Sequence, residues 1–251
     1  MTKTIAIIGG TGLTEPKQLR VLTAHDIQTP YGSTSAPILE GEMAGYRVLF
    51  LARHGHPHRI PPHQVNYRAN IWALQKLYVT DIISINAVGS IAIDAMPTRA
   101  MVVPDQIIDY TWGRIHTYFQ GDMEAVKHVD FSFPYTESLR ELLLQAAHHA
   151  GKKVVNGAVY GITQGPRLET AAEITRMERD GCDIVGMTGM PEAALARELQ
   201  INYASLGLVV NPAAGKSSSV ITLKEIQAAL DVGMTDVRDV IAQAVRLFHQ
   251  D

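Results

Sequence analysis

The stretch LARHGHPHRIPPHQVNY, residues 51–67, sets Arg53 beside His54, His56, His58 and His63. Three chemistries compete for it. An H-x-H pair leaving a strand can begin a divalent-metal site, because alternate strand residues point the same way. Such a site needs further His or carboxylate ligands at later strand ends, and those ends carry Asn86, Thr188 and Asn211, which are poor ligands for a catalytic divalent metal. No metal is expected. Histidines in a solvated loop stiffened by Pro57, Pro61 and Pro62 are the plain alternative. An anion site accounts for more: Arg53 is a permanent cation whose planar fork matches phosphate oxygens, and His54 or His58 can donate to the same group. Gly9-Gly10-Thr11-Gly12 is a second anion-friendly element, since small residues let backbone N–H groups converge on an oxyanion. A dinucleotide fingerprint would need glycine where Glu15 stands, and no Gly-Lys-Ser/Thr of a P-loop occurs, so a tight turn is the competing reading there. Thr188, at the end of DIVGMT, is either a third donor or only a helix cap.

These residues need a scaffold that brings strand ends together. IAIIGG (5–10), RVLFLAR (47–53), DIISINAVG (81–89), VVNGAVYGIT (154–163), DIVGMT (183–188) and YASLGLVVN (203–211) read as buried strands. Between them, Leu139, Leu142, Leu143 and Ala146 recur at helical spacing, with a capping-box pattern at Ser138 and Glu141 and a stop at Gly151. The box recurs at Thr170 with Glu173 and at Thr222 with Glu225, and Pro191 sits where a first helical turn accepts proline. Alternation of this kind predicts a single α/β domain over residues 1–251, with a central mixed, largely parallel sheet flanked by helices and ligands at the strand C-terminal ends. Residues 111–136, with Trp112, His116, Gly121, His128 and Pro134, are the one long irregular stretch, and such stretches serve as lids or subunit contacts.

Composition narrows the partners. With 251 residues, 46% hydrophobic and 19% charged, the chain can bury a full core, and a net charge of -3 gives no basic footprint for nucleic acid or an anionic membrane. A small soluble partner is expected. MTKTIAIIGGTGL breaks into glycine too early for a signal-peptide core, and no apolar run approaches a membrane span, so a cytoplasmic location is expected. Cys182 is the only cysteine and reads as packing.

The blocks IIGGTGL, LARHG, VNYRANIWAL, INAVGS, GPRLETAAE and VGMTGMPEAALARE, in this order, resemble the trimeric purine nucleoside phosphorylase and methylthioadenosine phosphorylase family over nearly the whole chain. The resemblance implies that Thr11, Arg53, His54, Ala87 through its backbone and Thr188 hold phosphate, with His58 a further member. It implies that Met187 lies against the sugar, that the assembly is a homotrimer, and that His128 reaches into a neighbouring subunit's pocket. The four-histidine question then resolves towards phosphate. Such chemistry uses phosphate as co-substrate and no metal or organic cofactor: a bound dianion steadies the cationic sugar and then attacks it.

Two positions bear on the base. Asn211 stands where adenine-specific members have aspartate, and Ala213 replaces a second aspartate; an amide can donate to a purine O6 and accept from a protonated N7, whereas a carboxylate only accepts. The competing role for Asn211 is a turn residue before Pro212. Glu169 matches the glutamate of 6-oxopurine members, where it can accept from N1–H; its competing role is a solvated residue of a first helical turn. Asn86 follows the 6-oxopurine pattern too, in a structural role, while Leu168 replaces a usual stacking aromatic. The sugar end differs. Leu223 stands where inosine-cleaving members place a histidine on the 5′-hydroxyl, which favours a methylthio group unless Leu223 is ordinary core with Ile226 and Leu230. An oxopurine base site joined to a methylthioribose pocket implies phosphorolysis of S-methyl-5′-thioinosine to hypoxanthine and 5-(methylthio)ribose 1-phosphate. Within the family the alternatives are inosine or guanosine cleavage and methylthioadenosine cleavage; outside it, a metal-dependent hydrolase or a non-catalytic nucleotide sensor.

Overall fold

The computed structural model describes residues 3–13, 16–120 and 127–250. Glu15, and the part of the long irregular stretch that includes Gly121, lie outside the described residues. In chain order the elements are β1 (Ile5–Gly9), β2 (Arg20–His25), β3 (Ile38–Met43), β4 (Tyr46–Ala52), a 3-10 turn at Pro62–Gln64, α1 (Tyr67–Lys76), β5 (Asp81–Ser90), β6 (Met101–Val103), β7 (Gln106–Asp109), α2 (Glu137–His149), β8 (Val154–Asn156), β9 (Val159–Ile162), α3 (Ala171–Arg179), β10 (Ile184–Gly186), α4 (Gly189–Glu198), β11 (Asn202–Pro212) and α5 (Leu223–Phe248).

The strands join one mixed sheet whose main path is β2-β3-β4-β1-β5-β10-β9-β7, with β11 on β5 and then β6 and β8. Its centre is parallel, as expected: β1 pairs β4 and β5, and β5 pairs β11 along nearly its whole length. Parallel strands need both faces covered, and the side-chain alternation supplies two cores. Ile5, Ile7, Ile83, Ile85, Leu206 and Leu208 pack on one face with Leu139 and Leu143 of α2 and Val237, Ile241 and Val245 of α5. Ala6, Ile8, Ile82 and Tyr203 pack on the other with Ile71 and Leu74 of α1 and Ala193, Leu195 and Ala196 of α4. Each fully buried Ile or Leu contributes roughly 1.5–3 kcal/mol.

Local departures from the sequence reading have local causes. VVNGAVYGIT is two strands, because Gly157 turns the chain at φ 87°, sending β8 to β6 and β9 to β10 and β7. The capping box at Ser138 and Glu141 does not form. The N-cap lies two residues earlier, at Thr136, whose N–H donates to Tyr203 O at 2.8 Å and whose Oγ1 accepts from Tyr203 N at 3.1 Å, so β11 sets the helix start. The boxes at Thr170 and Thr222 are both complete. In α4, Met190 is non-helical at φ −116°, ψ 140°, so the regular turn begins at Pro191 as the proline predicts. Gly151 stops α2 with φ 65°. The antiparallel β2–β3 pair, with β2 exposed along nearly its whole length, has no counterpart in the sequence reading.

Candidate active site

β5 changes partners midway, and the site lies at that change. Its first half pairs β1 as far as Ser84 opposite Ile8, while its end pairs β10 antiparallel at Gly89 and Ser90. Across Ile85–Val88 the ends of β1 and β10 diverge, which is where an open α/β sheet offers a ligand crevice. A cavity of about 510 Å³ occupies the opening. Thr11, Arg53, His54, His58, Ala87, Leu168, Glu169, Met187, Thr188, Asn211 and Leu223 all line it, so eleven of the twelve expected site residues meet there. His128 does not; it is exposed and outside this cavity. A larger cavity of about 860 Å³, lined by Asp105, Asp130, Arg140 and Arg197 among others, contains none of these residues.

The glycines after β1 are required by close approach. A Cβ on Gly10 would lie 2.6 Å from Ile85 O and 2.7 Å from Arg53 Nη1, so only glycine lets this turn reach β5. The turn closes with Leu13 N donating to Gly10 O at 3.0 Å and presents Thr11, whose Oγ1 is 3.4 Å from His58 Nε2.

Arg53 is fully buried, and its fork is engaged within the protein. Nε donates to Glu192 Oε2 at 2.7 Å, Nη2 to Glu192 Oε1 at 2.9 Å and to Ser84 Oγ at 2.6 Å, and Nη1 to Ile85 O at 3.0 Å. One Nη1 proton remains. Burial opposes the charge, but the Glu192 carboxylate outweighs it and holds the guanidinium above its ordinary pKa. Glu192 is itself fully buried and also accepts from Tyr203 OH at 2.9 Å.

Four histidines separate into two pairs. His56 and His63 are exposed and outside the cavity, whereas the buried His54 and the exposed His58 both line it, with their rings stacked at 4.4 Å. Burial first, and then the Arg53 charge, push the His54 pKa down to about 4. A neutral His54 donates from Nδ1 to Ile60 O at 2.8 Å, which leaves Nε2 an acceptor and not the donor the sequence reading gives it. Among the described residues no group of three or more His, Cys, Asp or Glu is placed to hold a metal ion.

Thr188 makes no side-chain cap to α4. Its Oγ1 accepts from Asn86 Nδ2 at 2.8 Å, while Asn86 Oδ1 accepts from Ser205 Oγ at 2.7 Å, so the amide is oriented. Asn86 is therefore the structural residue the sequence suggests, one step behind a donor.

The register of β11 against β5 slips between Val209 and Asn211, a bulge at Val210 that turns Asn211 into the cavity. Asn211 is 8% exposed and donates from Nδ2 to Pro212 O at 2.7 Å, which fixes the amide with Oδ1 and one N–H unspent. Glu169 precedes the Thr170 cap and is not in the first turn of α3; Thr163 Oγ1 donates to its Oε1 at 2.6 Å. Leu223 is the first residue of α5 and 83% exposed, so it is not ordinary core. Leu168 is 42% exposed at the cavity rim.

Sequence reasoning missed Glu192. The signal was a lone carboxylate inside MPEAALA, a small-residue run that reads as a buried helix. Ser84 and Ser205, polar residues in otherwise apolar strands, carried the same kind of signal.

Comparison with known proteins bears on this site. The family described as "Phosphorylase superfamily" matches residues 4–246. A probable S-methyl-5′-thioinosine phosphorylase of Pseudomonas syringae pv. tomato is 58% identical, covering 96% of this chain and 97% of the relative. A probable 6-oxopurine nucleoside phosphorylase of Thermococcus kodakarensis is 42% identical, covering 96% and 91%. The solved methylthioadenosine phosphorylase of Schistosoma mansoni in complex with adenine superposes with a TM-score of 0.94 at 31% identity, over 100% of this chain and 93% of that one.

Proposed function

The chain belongs to the phosphorylase superfamily, and from that premise we propose that it cleaves S-methyl-5′-thioinosine with inorganic phosphate, giving hypoxanthine and 5-(methylthio)ribose 1-phosphate. The observation that carries this reading is one cavity lined at once by a buried amide, Asn211, a carboxylate, Glu169, and the apolar Met187 and Leu223. The relatives at 48–58% identity over nearly their whole length that bear the name probable S-methyl-5′-thioinosine phosphorylase support it.

Phosphate sits between the Thr11 turn and Thr188, held by their hydroxyls, the backbone at Ala87, His58 and the remaining Nη1 proton of Arg53. Because Glu192 neutralises Arg53, the anion meets mainly dipoles, which hold it without cancelling the charge it turns on the sugar. Binding a dianion beside His54 also favours the protonated ring, so His54 can take up a proton as phosphate enters. As the glycosidic bond lengthens, the dianion steadies positive charge at C1′ and then attacks it. Negative charge moves into the base, where Asn211 accepts from a protonated N7 and donates to O6, and Glu169 accepts from N1–H. Phosphate is a co-substrate, and the chemistry calls on no metal or organic cofactor. Met187 lies on the sugar, and Leu223 covers the methylthio end together with His128 from a neighbouring copy in a homotrimer. The enzyme works in the cytoplasm, on small molecules and not on nucleic acid or membrane; no described helix is long and apolar enough to cross a membrane.

Inosine or guanosine cleavage is the second reading, favoured by the relatives at 41–44% identity named probable 6-oxopurine nucleoside phosphorylase. Incubating the enzyme with S-methyl-5′-thioinosine, with and without phosphate, tests the reaction. Hypoxanthine and its sugar phosphate should form in equal amounts only when phosphate is present, and a chelator should change nothing. Free methylthioribose formed without phosphate would show a hydrolase, and binding without turnover a sensor.

A further inference from the structure

Arg114 does not line the cavity, yet it joins three of the segments that do. β9 and β10 pair in parallel as far as Ile162 and Gly186, and Thr163 N still donates to Gly186 O at 2.8 Å. Beyond that point the two chains part, one towards Leu168 and Glu169, the other through Met187 to Thr188. Their carbonyls leave the ladder and need donors.

Arg114 supplies them. Nη1 donates to Met187 O at 2.8 Å and Met190 O at 2.6 Å, Nη2 to Gln164 O at 2.8 Å and Thr163 O at 3.2 Å, and Nε to Gln164 Oε1 at 3.2 Å. Its guanidinium also lies over the Tyr67 ring, 5.6 Å from the centroid, and Tyr67 OH donates at 2.9 Å to the carbonyl of Pro62, which lines the cavity beside Gly165 and Met187. None of these acceptors is a carboxylate. Arg53 is placed by an ion pair; Arg114 is placed by converging carbonyl dipoles, which only a planar fork of five donors can satisfy together.

We infer that Arg114 is a positioning residue for the nucleoside half of the site, fixing Met187 directly and Glu169 through Thr163. The inference rests on the reading that Met187 and Glu169 hold sugar and base. It separates nucleoside from phosphate, because Thr11, Arg53 and His54 make no bond to Arg114 and Thr188, although it stands between Met187 and Met190, has its hydroxyl held independently by Asn86 of β5.

Arg114→Lys and Arg114→Gln test it by steady-state kinetics with each substrate varied, using whichever purine nucleoside the wild type cleaves best. In both variants the nucleoside KM should rise roughly tenfold or more, since small misplacements of a positioned group cost one to two orders of magnitude. The phosphate KM should stay within about twofold of wild type. A phosphate KM that rises in step, or a nucleoside KM that does not move, overturns the inference. So does full recovery in Arg114→Lys, because charge without the fork would then suffice. Should these variants fail to fold, Gln164→Met removes one leg of the clamp and no cation: a nucleoside KM raised several-fold at constant phosphate KM supports the role, and no change overturns it. A wild type that prefers another purine nucleoside contradicts the proposed substrate while leaving this test intact, and one inactive on all of them overturns both.

Discussion

A side-chain amide suits a 6-oxopurine because it presents a donor and an acceptor together. At Asn211 the Pro212 carbonyl takes one N–H, so the amide is oriented before any base arrives and costs little reorganisation. Asn211→Asp should therefore lower kcat/KM for S-methyl-5′-thioinosine by roughly a hundredfold, by setting a carboxylate against O6, and raise it for methylthioadenosine. Steady-state assays on both substrates check this, and an unchanged ratio would remove the role given to Asn211. That Thr11, Asn211 and Glu169 lie at element ends facing one cavity was legible in the sequence, because each sits in a short block with its strand or helix boundary attached. The state of Arg53 was not, because its partner lies 139 residues away in a different element. The commitment of His54 Nδ1 to Ile60 O was hidden for a different reason: it depends on how the loop folds back on itself over six residues.

At the scale of elements, the crevice exists because β5 leaves β1 for β10, and α4 then brings Glu192 under the opening to hold Arg53 and Ser84. A buried pair of this kind is weak evidence for net stability, but breaking one leaves a charge uncompensated. Glu192→Ala should destabilise the fold by about 3–5 kcal/mol, read from urea denaturation. A loss within about 1 kcal/mol, the range of an exposed pair, would mean that Arg53 is not held as described. The central strands β1, β4, β5 and β11 were legible because continuous apolar runs are what a doubly covered parallel strand requires. The β2–β3 pair was not, since RVLTAH is exposed on both faces and shows no alternation. The division of VVNGAVYGIT was carried by Gly157, whose φ of 87° the composition of the run does not announce.

At the scale of the whole molecule, the cavity is lined by the buried polar residues Arg53, His54, Thr188 and Asn211 and bordered by the exposed Leu168 and Leu223. Leu223 is 83% exposed there, and His128, the one expected site residue outside the cavity, is exposed on the same chain. Both fit a pocket completed by a second copy, as proposed. The α/β architecture and the meeting of strand ends could be argued from the sequence; the proposed completion of the pocket by a second copy could not, because a contact across an interface leaves no spacing signal within one chain. Leu223 bears on the choice that separates the proposed substrate from inosine, since burying an unpaired 5′-hydroxyl against an apolar wall costs about 1–3 kcal/mol. Competition measures base and sugar selection together: S-methyl-5′-thioinosine, inosine and methylthioadenosine at equal concentration with saturating phosphate are consumed in proportion to their kcat/KM. Under the proposed specificity, S-methyl-5′-thioinosine disappears roughly tenfold or more faster than either competitor. Inosine consumed at the same rate, or methylthioadenosine consumed first, would contradict it.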